Sequence, residues 1–188
     1  MKSILRVLLL FALLGSGACR RAAAPSPSTG ERVVSLAPNL TEIICAVGGL
    51  DLMVGRTSVC DYPTNVNAVR VIGGFGAPSL ELLTAVSPTL VLDVDLEDVA
   101  LAKKIADLGL RRERVNCGKL DEIPVAIETV GRLIGRGEKG LAVGTALREQ
   151  IDALRRRALT ETNRPTVYVE IWHDPVMTTG KGSFLSEL

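Results

Sequence analysis

The 188-residue sequence predicts an α/β protein with a Rossmann-like parallel-sheet lobe, a long connecting helix, and the start of a second α/β lobe that the sequence leaves truncated. Three observations predict it. Short β-branched or apolar runs alternate with helical periodicity up to residue 119, and strands joined by helical crossovers run parallel because tight hairpins cannot join them. From 120 to 159 the apolar residues keep helical spacing: Ile123, Ile127, Val130 and Ile134, then Leu147, Ile151, Leu154 and Ala158. A strand-like run then begins again at 166, so the helix before it reads as a connector between lobes.

The first residues read as an export signal. Lys2 and Arg6 are basic, 7–14 is apolar, and the small residues Gly15 to Ala18 follow. That run is too short for a bilayer, which takes about 20 apolar residues. Cys19 after Gly17-Ala18 looks like a bacterial lipobox, in which the cysteine is acylated. Ser16 stands where the pattern usually has leucine, so ordinary cleavage near Ala22-Ala23-Ala24 is the alternative. Residues 20–31, rich in Ala, Pro and Ser, read as a tether.

The first lobe occupies 32–119. Residues 32–36 form a strand, and Asn39 with Glu42 three residues on predicts a capped helix that Gly48-Gly49 ends. A second strand covers 52–56, the loop Cys60-Asp61-Tyr62-Pro63 follows, and 69–72 is extended. The glycines of Gly73-Gly74-Phe75-Gly76 predict a turn from which Phe75 projects. Ser79 caps a helix through Val86, 90–92 is a buried strand, 96–108 a helix and 113–116 the last strand. Gly135-Arg136-Gly137 separates a first-lobe helix, 120–136, from the inter-lobe helix, 137–162, whose length is on the order of 30 Å. In the incomplete lobe, 163–188, a strand over 166–171 precedes Trp172-His173-Asp174-Pro175, and Ser183 opens a helix.

Composition excludes several functions. With 22 basic against 21 acidic residues there is no electrostatic footprint for nucleic acid, and Arg155-Arg156-Arg157 reads as a solvated helix face. Gly73-Gly74-Phe75-Gly76 lacks the Lys-Ser/Thr of a phosphate loop. No CxxC or Cys/His spacing exists and His173 is the single histidine, so no metal site is expected. Cys45 reads as core, and pairing between Cys60 and Cys117, which both follow strands, stays open. Ser183, His173 and Asp174 do not make a hydrolase: no GxSxG elbow is present, and an Asp-Pro turn accounts for Asp174.

Ligands of open parallel sheets meet the loops at the carboxyl ends of strands. That rule selects Pro38, Asn39, Asp61, Tyr62 and Phe75. The chain holds one tryptophan, two tyrosines and three phenylalanines, so finding Tyr62, Phe75 and Trp172 on such loops points to a large flat ligand. Glu81, in the first turn of its helix, is explained by the helix dipole at about 0.3–1 kcal/mol.

The succession of 32–42, Cys60-Asp61-Tyr62-Pro63, 73–81 and 87–92, followed by Trp172-His173-Asp174-Pro175 and 180–184, resembles the periplasmic substrate-binding proteins of cobalamin and iron-chelate ABC transporters, closest to the cobalamin branch. The resemblance implies two lobes joined by one long helix with ligand in the cleft between them. It implies a non-enzymatic, monomeric receptor in the periplasm or cell envelope, lipid-anchored if Cys19 is acylated, that delivers a corrinoid to an ABC importer. Glu81 would then dock on arginines of the transporter's membrane subunit. Tyr62 and Phe75 would line one wall, and Trp172 with His173 the other, His173 packing or facing water rather than ligating cobalt. Haem or a ferric siderophore is the alternative cargo, and a secreted hydrolase the alternative class.

Overall fold

The computed structural model describes residues 30–94, 99–163 and 165–186. The export signal, Cys19 and nearly all of the tether lie outside the described residues, as does the start expected for the helix at Leu96.

The central strand is β1 (Val33–Ser35). It pairs in parallel with β2 (Met53–Arg56) on one side and β5 (Leu90–Asp93) on the other, and β6 (Arg112–Arg114) pairs with β5. The sheet order is therefore β2-β1-β5-β6, all parallel. α1 (Pro38–Ala46) joins β1 to β2, and between β2 and β5 lie the two-residue strands β3 (Gly73–Gly74) and β4 (Ala77–Pro78) and the helix α2 (Leu80–Ala85). α3 (Val99–Asp107) joins β5 to β6, and α4 (Glu122–Leu133) and α5 (Gly137–Thr160) follow.

The period of two along each strand divides the core between the faces of the sheet. Val33, Leu90 and Leu92 pack with Leu40 and Ile44 of α1 and with Ile127 and Val130 of α4. On the opposite face, Val34, Leu36 and Val91 pack with Leu83 of α2 and Ile105 of α3. Both faces are covered, as a parallel sheet requires. Each fully buried Leu, Ile or Val contributes roughly 1.5–3 kcal/mol relative to exposure.

The break at Gly135 is a Schellman turn. Gly135 has φ 74°, its N–H donates to Arg132 O at 3.3 Å, and Arg136 N–H donates to Gly131 O at 2.7 Å. α5 then folds back on α4 at unusually short range. A Cβ on Gly140 would stand 3.0 Å from Gly131 Cα, and one on Gly144 would stand 2.9 Å from Pro124 O. Arg148 of α5 pairs with Glu128 of α4 at 2.8 Å. Beyond Ile151 the apolar packing ends: 152–160 are all exposed, with Leu154 at 65% and Leu159 at 78%. Leu120, Ile151, Leu154, Ala158 and Leu159 border an open apolar cavity of about 770 Å³.

Two expected elements differ. Residues 165–170 form no strand; the nearest pairing is a single antiparallel bridge between Trp172 and Met177. A strand needs a ladder partner, and none of the described residues supplies one. The helix expected from Ser183 is one 3₁₀ turn, Phe184–Ser186.

Candidate functional site

Because all four sheet strands are parallel, the loops after β1 and β2 leave the sheet at one edge. Pro38 and Asn39 open α1 there. Pro38 occupies the first helical turn, where its fixed φ suits the helix, and Ala37 holds the cap position. The predicted Asn39 cap is therefore corrected: Asn39 Oδ1 accepts from Leu40 N–H at 3.0 Å, next to itself in sequence. Further on, Ser79 does cap α2, its Oγ accepting from Leu82 N–H at 3.3 Å.

After β2 the chain makes a broad loop through a 3₁₀ turn, Thr64–Ala68. Asp61 and Tyr62 stand on its outer side, with Tyr62 65% exposed. Tyr62 and Pro63 share a depression of about 370 Å³ with Glu42, Ile43, Cys45 and Ala46 of α1, so this loop and that helix form one rim. Phe75, 58% exposed, stands at the tip of the β3–β4 hairpin. Gly76 adopts φ 67° in that turn, and a Cβ on Gly73 would stand 2.6 Å from Ala77 O, so the tight hairpin depends on glycine. Ser58 N–H donates to Gly73 O at 2.8 Å and ties hairpin to loop.

Trp172 and His173 are exposed, and their hydrogen bonds stay within their own segment. Trp172 Nε1 donates to Asp174 O at 2.9 Å, and His173 Nδ1 lies 3.1 Å from Glu170 Oε1. No hydrogen bond brings them to the rim among the described residues. Glu81 is exposed in the first turn of α2, and its carboxylate forms no ion pair among the described residues.

Sequence reasoning missed two charged groups behind the rim. Asp93 is 1% exposed at the end of β5 and is paired with Arg112 of β6, whose Nε contacts Oδ2 and whose Nη2 donates to Oδ1 at 3.1 Å. Arg56 is buried at the end of β2, with its guanidinium inside the Asp61–Tyr62 loop. Both close an apolar strand with a charge, which is the signal that could have found them. Cys45, Cys60 and Cys117 are free thiols, which answers the open question of a Cys60–Cys117 bond. Burial, and then the Glu42 carboxylate, pushes the Cys45 thiol up; burial, and then Glu122, does the same for Cys117. Among the described residues no group of His, Cys, Asp and Glu side chains is arranged to hold a metal.

The described residues thus form a parallel-sheet lobe with aromatic side chains on its strand-end loops and a long helix leading out of it. Residues 33–188 match the periplasmic binding protein family, and the chain belongs to that family, whose members are solute receptors and not enzymes. It is 29% identical over 165 residues to the ABC transporter substrate-binding lipoprotein YvrC of Bacillus subtilis, covering 84% of this chain and 52% of that protein. Over 159 residues it is 26% identical to the vitamin B12-binding protein of Vibrio parahaemolyticus, covering 84% and 58%. Among solved structures it superposes on the periplasmic heme-binding protein RhuT from Roseiflexus sp. RS-1 in apo form with a TM-score of 0.72 and 26% identity, covering 84% of this chain and 62% of the other. The chain thus spans little more than half the length of these curated relatives.

Proposed function

We propose that the chain contributes the first lobe, 32–119, the helix 120–136, the connector 137–162 and the start of a second lobe, 163–188, to an extracytoplasmic receptor that delivers a corrinoid to an ABC importer. The observation that carries this is the rim itself: Tyr62 and Phe75 stand largely exposed on loops fixed to the carboxyl edge of a parallel sheet. Exposed rings held by a rigid scaffold suit a broad, flat ligand, because aromatic faces gain contact area at little conformational cost. Asn39 and Asp61 supply the polar border of that wall beside Pro38, and Trp172 with His173 form the facing one. The vitamin B12-binding relative supports corrinoid as the cargo, and the heme-binding structure supports haem as the second reading; ferric siderophores are the remaining class.

Glu81 is the docking carboxylate in this proposal. It is exposed and unpaired on a helix start held by Ser79, so it is free to meet a cation of the importer's membrane subunit. Acylation of Cys19 would hold the receptor at a membrane, in keeping with the lipoprotein YvrC.

Equilibrium titration of the purified full chain with cyanocobalamin, haemin and ferric siderophores tests the cargo. Saturable binding of cyanocobalamin alone is expected, and preference for haemin or a siderophore overturns the corrinoid reading. Replacing Glu81 with Arg is expected to abolish uptake with ligand affinity intact; an unchanged uptake rate sinks the docking role.

A further inference from the structure

We propose that Arg56 is the positioning residue of the ligand rim: its side chain shapes the loop that carries Asp61 and Tyr62, and its main chain holds the segment that leads to Phe75. This rests on the reading of that rim as a ligand wall. Arg56 is 7% exposed. Nε donates to the carbonyls of Val66 at 2.9 Å and Val69 at 3.2 Å, and Nη1 to those of Cys60 at 2.8 Å and Thr57 at 3.2 Å. Nη2 donates to Asn67 Oδ1 at 3.1 Å. All these acceptors lie between 57 and 69, so the loop closes as a ring around one guanidinium. None is a carboxylate.

Among the described residues no carboxylate pairs with Arg56, and the cost of burying its charge is met by inward-turned carbonyls. Thr57 O and Val66 O also accept from the Cys60 and Val69 N–H groups, at 3.2 Å and 2.8 Å, so an apolar residue in place of Arg56 would take the donor chiefly from the Cys60 and Val69 carbonyls, and the loop would turn outward there to find water. The planar fork of arginine serves several directions at once, which a lysine ammonium at the same position cannot do. The main chain of Arg56 completes the arrangement. Its N–H donates to Arg70 O at 3.0 Å, and its carbonyl accepts from Ile72 N–H at 2.9 Å, directly before the β3–β4 hairpin. One residue therefore fixes the bases of both aromatic-bearing loops.

The test compares Arg56→Met and Arg56→Lys with the wild-type full chain. Without ligand, amide hydrogen exchange is expected to quicken by about tenfold or more within 57–69 and to stay unchanged in α4, with lysine between wild type and methionine. With cyanocobalamin, affinity is expected to fall about tenfold, and the same change made on top of Tyr62→Ala is expected to cost less than about twofold. That coupling distinguishes positioning from general loss of stability. Unchanged exchange in the loop, or an equal loss of affinity in both backgrounds, overturns the proposal. If wild type itself fails to bind cyanocobalamin, the corrinoid reading falls, and the ligand-free exchange still decides for or against the clasp. Should Arg56→Met not fold, Asn67→Ala removes one acceptor at an exposed position and carries the same comparison.

Discussion

The two halves of α5 have the same helical geometry and opposite surroundings. From Gly137 to Ile151 the helix is fastened to the first lobe: Gly140 and Gly144 let its backbone approach α4, and Arg148 pairs with Glu128. From Asp152 onward the apolar stripe continues in sequence through Leu154, Ala158 and Leu159, but no described residue covers it. Intrinsic helix propensity does not separate the halves; tertiary cover does. A helix built this way moves with the lobe that holds its first half.

The largest test of this contrast is Gly140→Leu. A side chain there meets the Gly131 backbone, so the helices must part, and a loss of about 3 kcal/mol in thermal unfolding is expected. Stability within 1 kcal/mol of wild type would show that the close approach is not needed. Ile151→Ala, at the border between the halves, should cost about 2 kcal/mol in denaturant unfolding, because Ile151 is the last buried side chain of the helix. Leu154→Ala and Leu159→Ala should each stay within about 0.5 kcal/mol, since both side chains are already in water. A larger cost for either would mean that the second half has a cover.

The smallest effect is electrostatic. Arg155 of the outer half donates to Asp121 Oδ1 at 2.7 Å, and that hydrogen bond holds the Asp121 carboxyl below its usual range. A lowered carboxylate favours the folded state above the ordinary range and loses that contribution as pH falls through the lowered value. NMR titration should place Asp121 below a free aspartate in wild type and return it upward in Arg155→Ala. Identical titration in both would show that the Arg155–Asp121 pair does not tie the outer half to the start of α4.

Much of this organisation was legible in the sequence. The alternation of apolar runs with helical spacing determined the parallel sheet, because Val33 and Val34 must face opposite sides and both are buried. Gly135 marked the helix break through its need for positive φ, and Ser79 the cap of α2. The Asn39 cap failed because Pro38, one residue earlier, suits the helix start better. The strand over 166–171 failed because strand formation depends on a neighbour that local sequence does not contain. On the rim, Tyr62 and Phe75 were visible as aromatics among turn residues. Arg56 was not, because arginine as a residue type reads as surface, and only the inward carbonyls of a folded loop make its burial favourable.

The clasp around Arg56 has an environmental consequence. Four backbone carbonyls and one amide oxygen hold the guanidinium, and none of these gains or loses a proton in aqueous media in which proteins stay folded. Buried contacts of this kind are also little weakened by dissolved ions. The loop presenting Tyr62 is therefore fastened by chemistry indifferent to acid, alkali and salt.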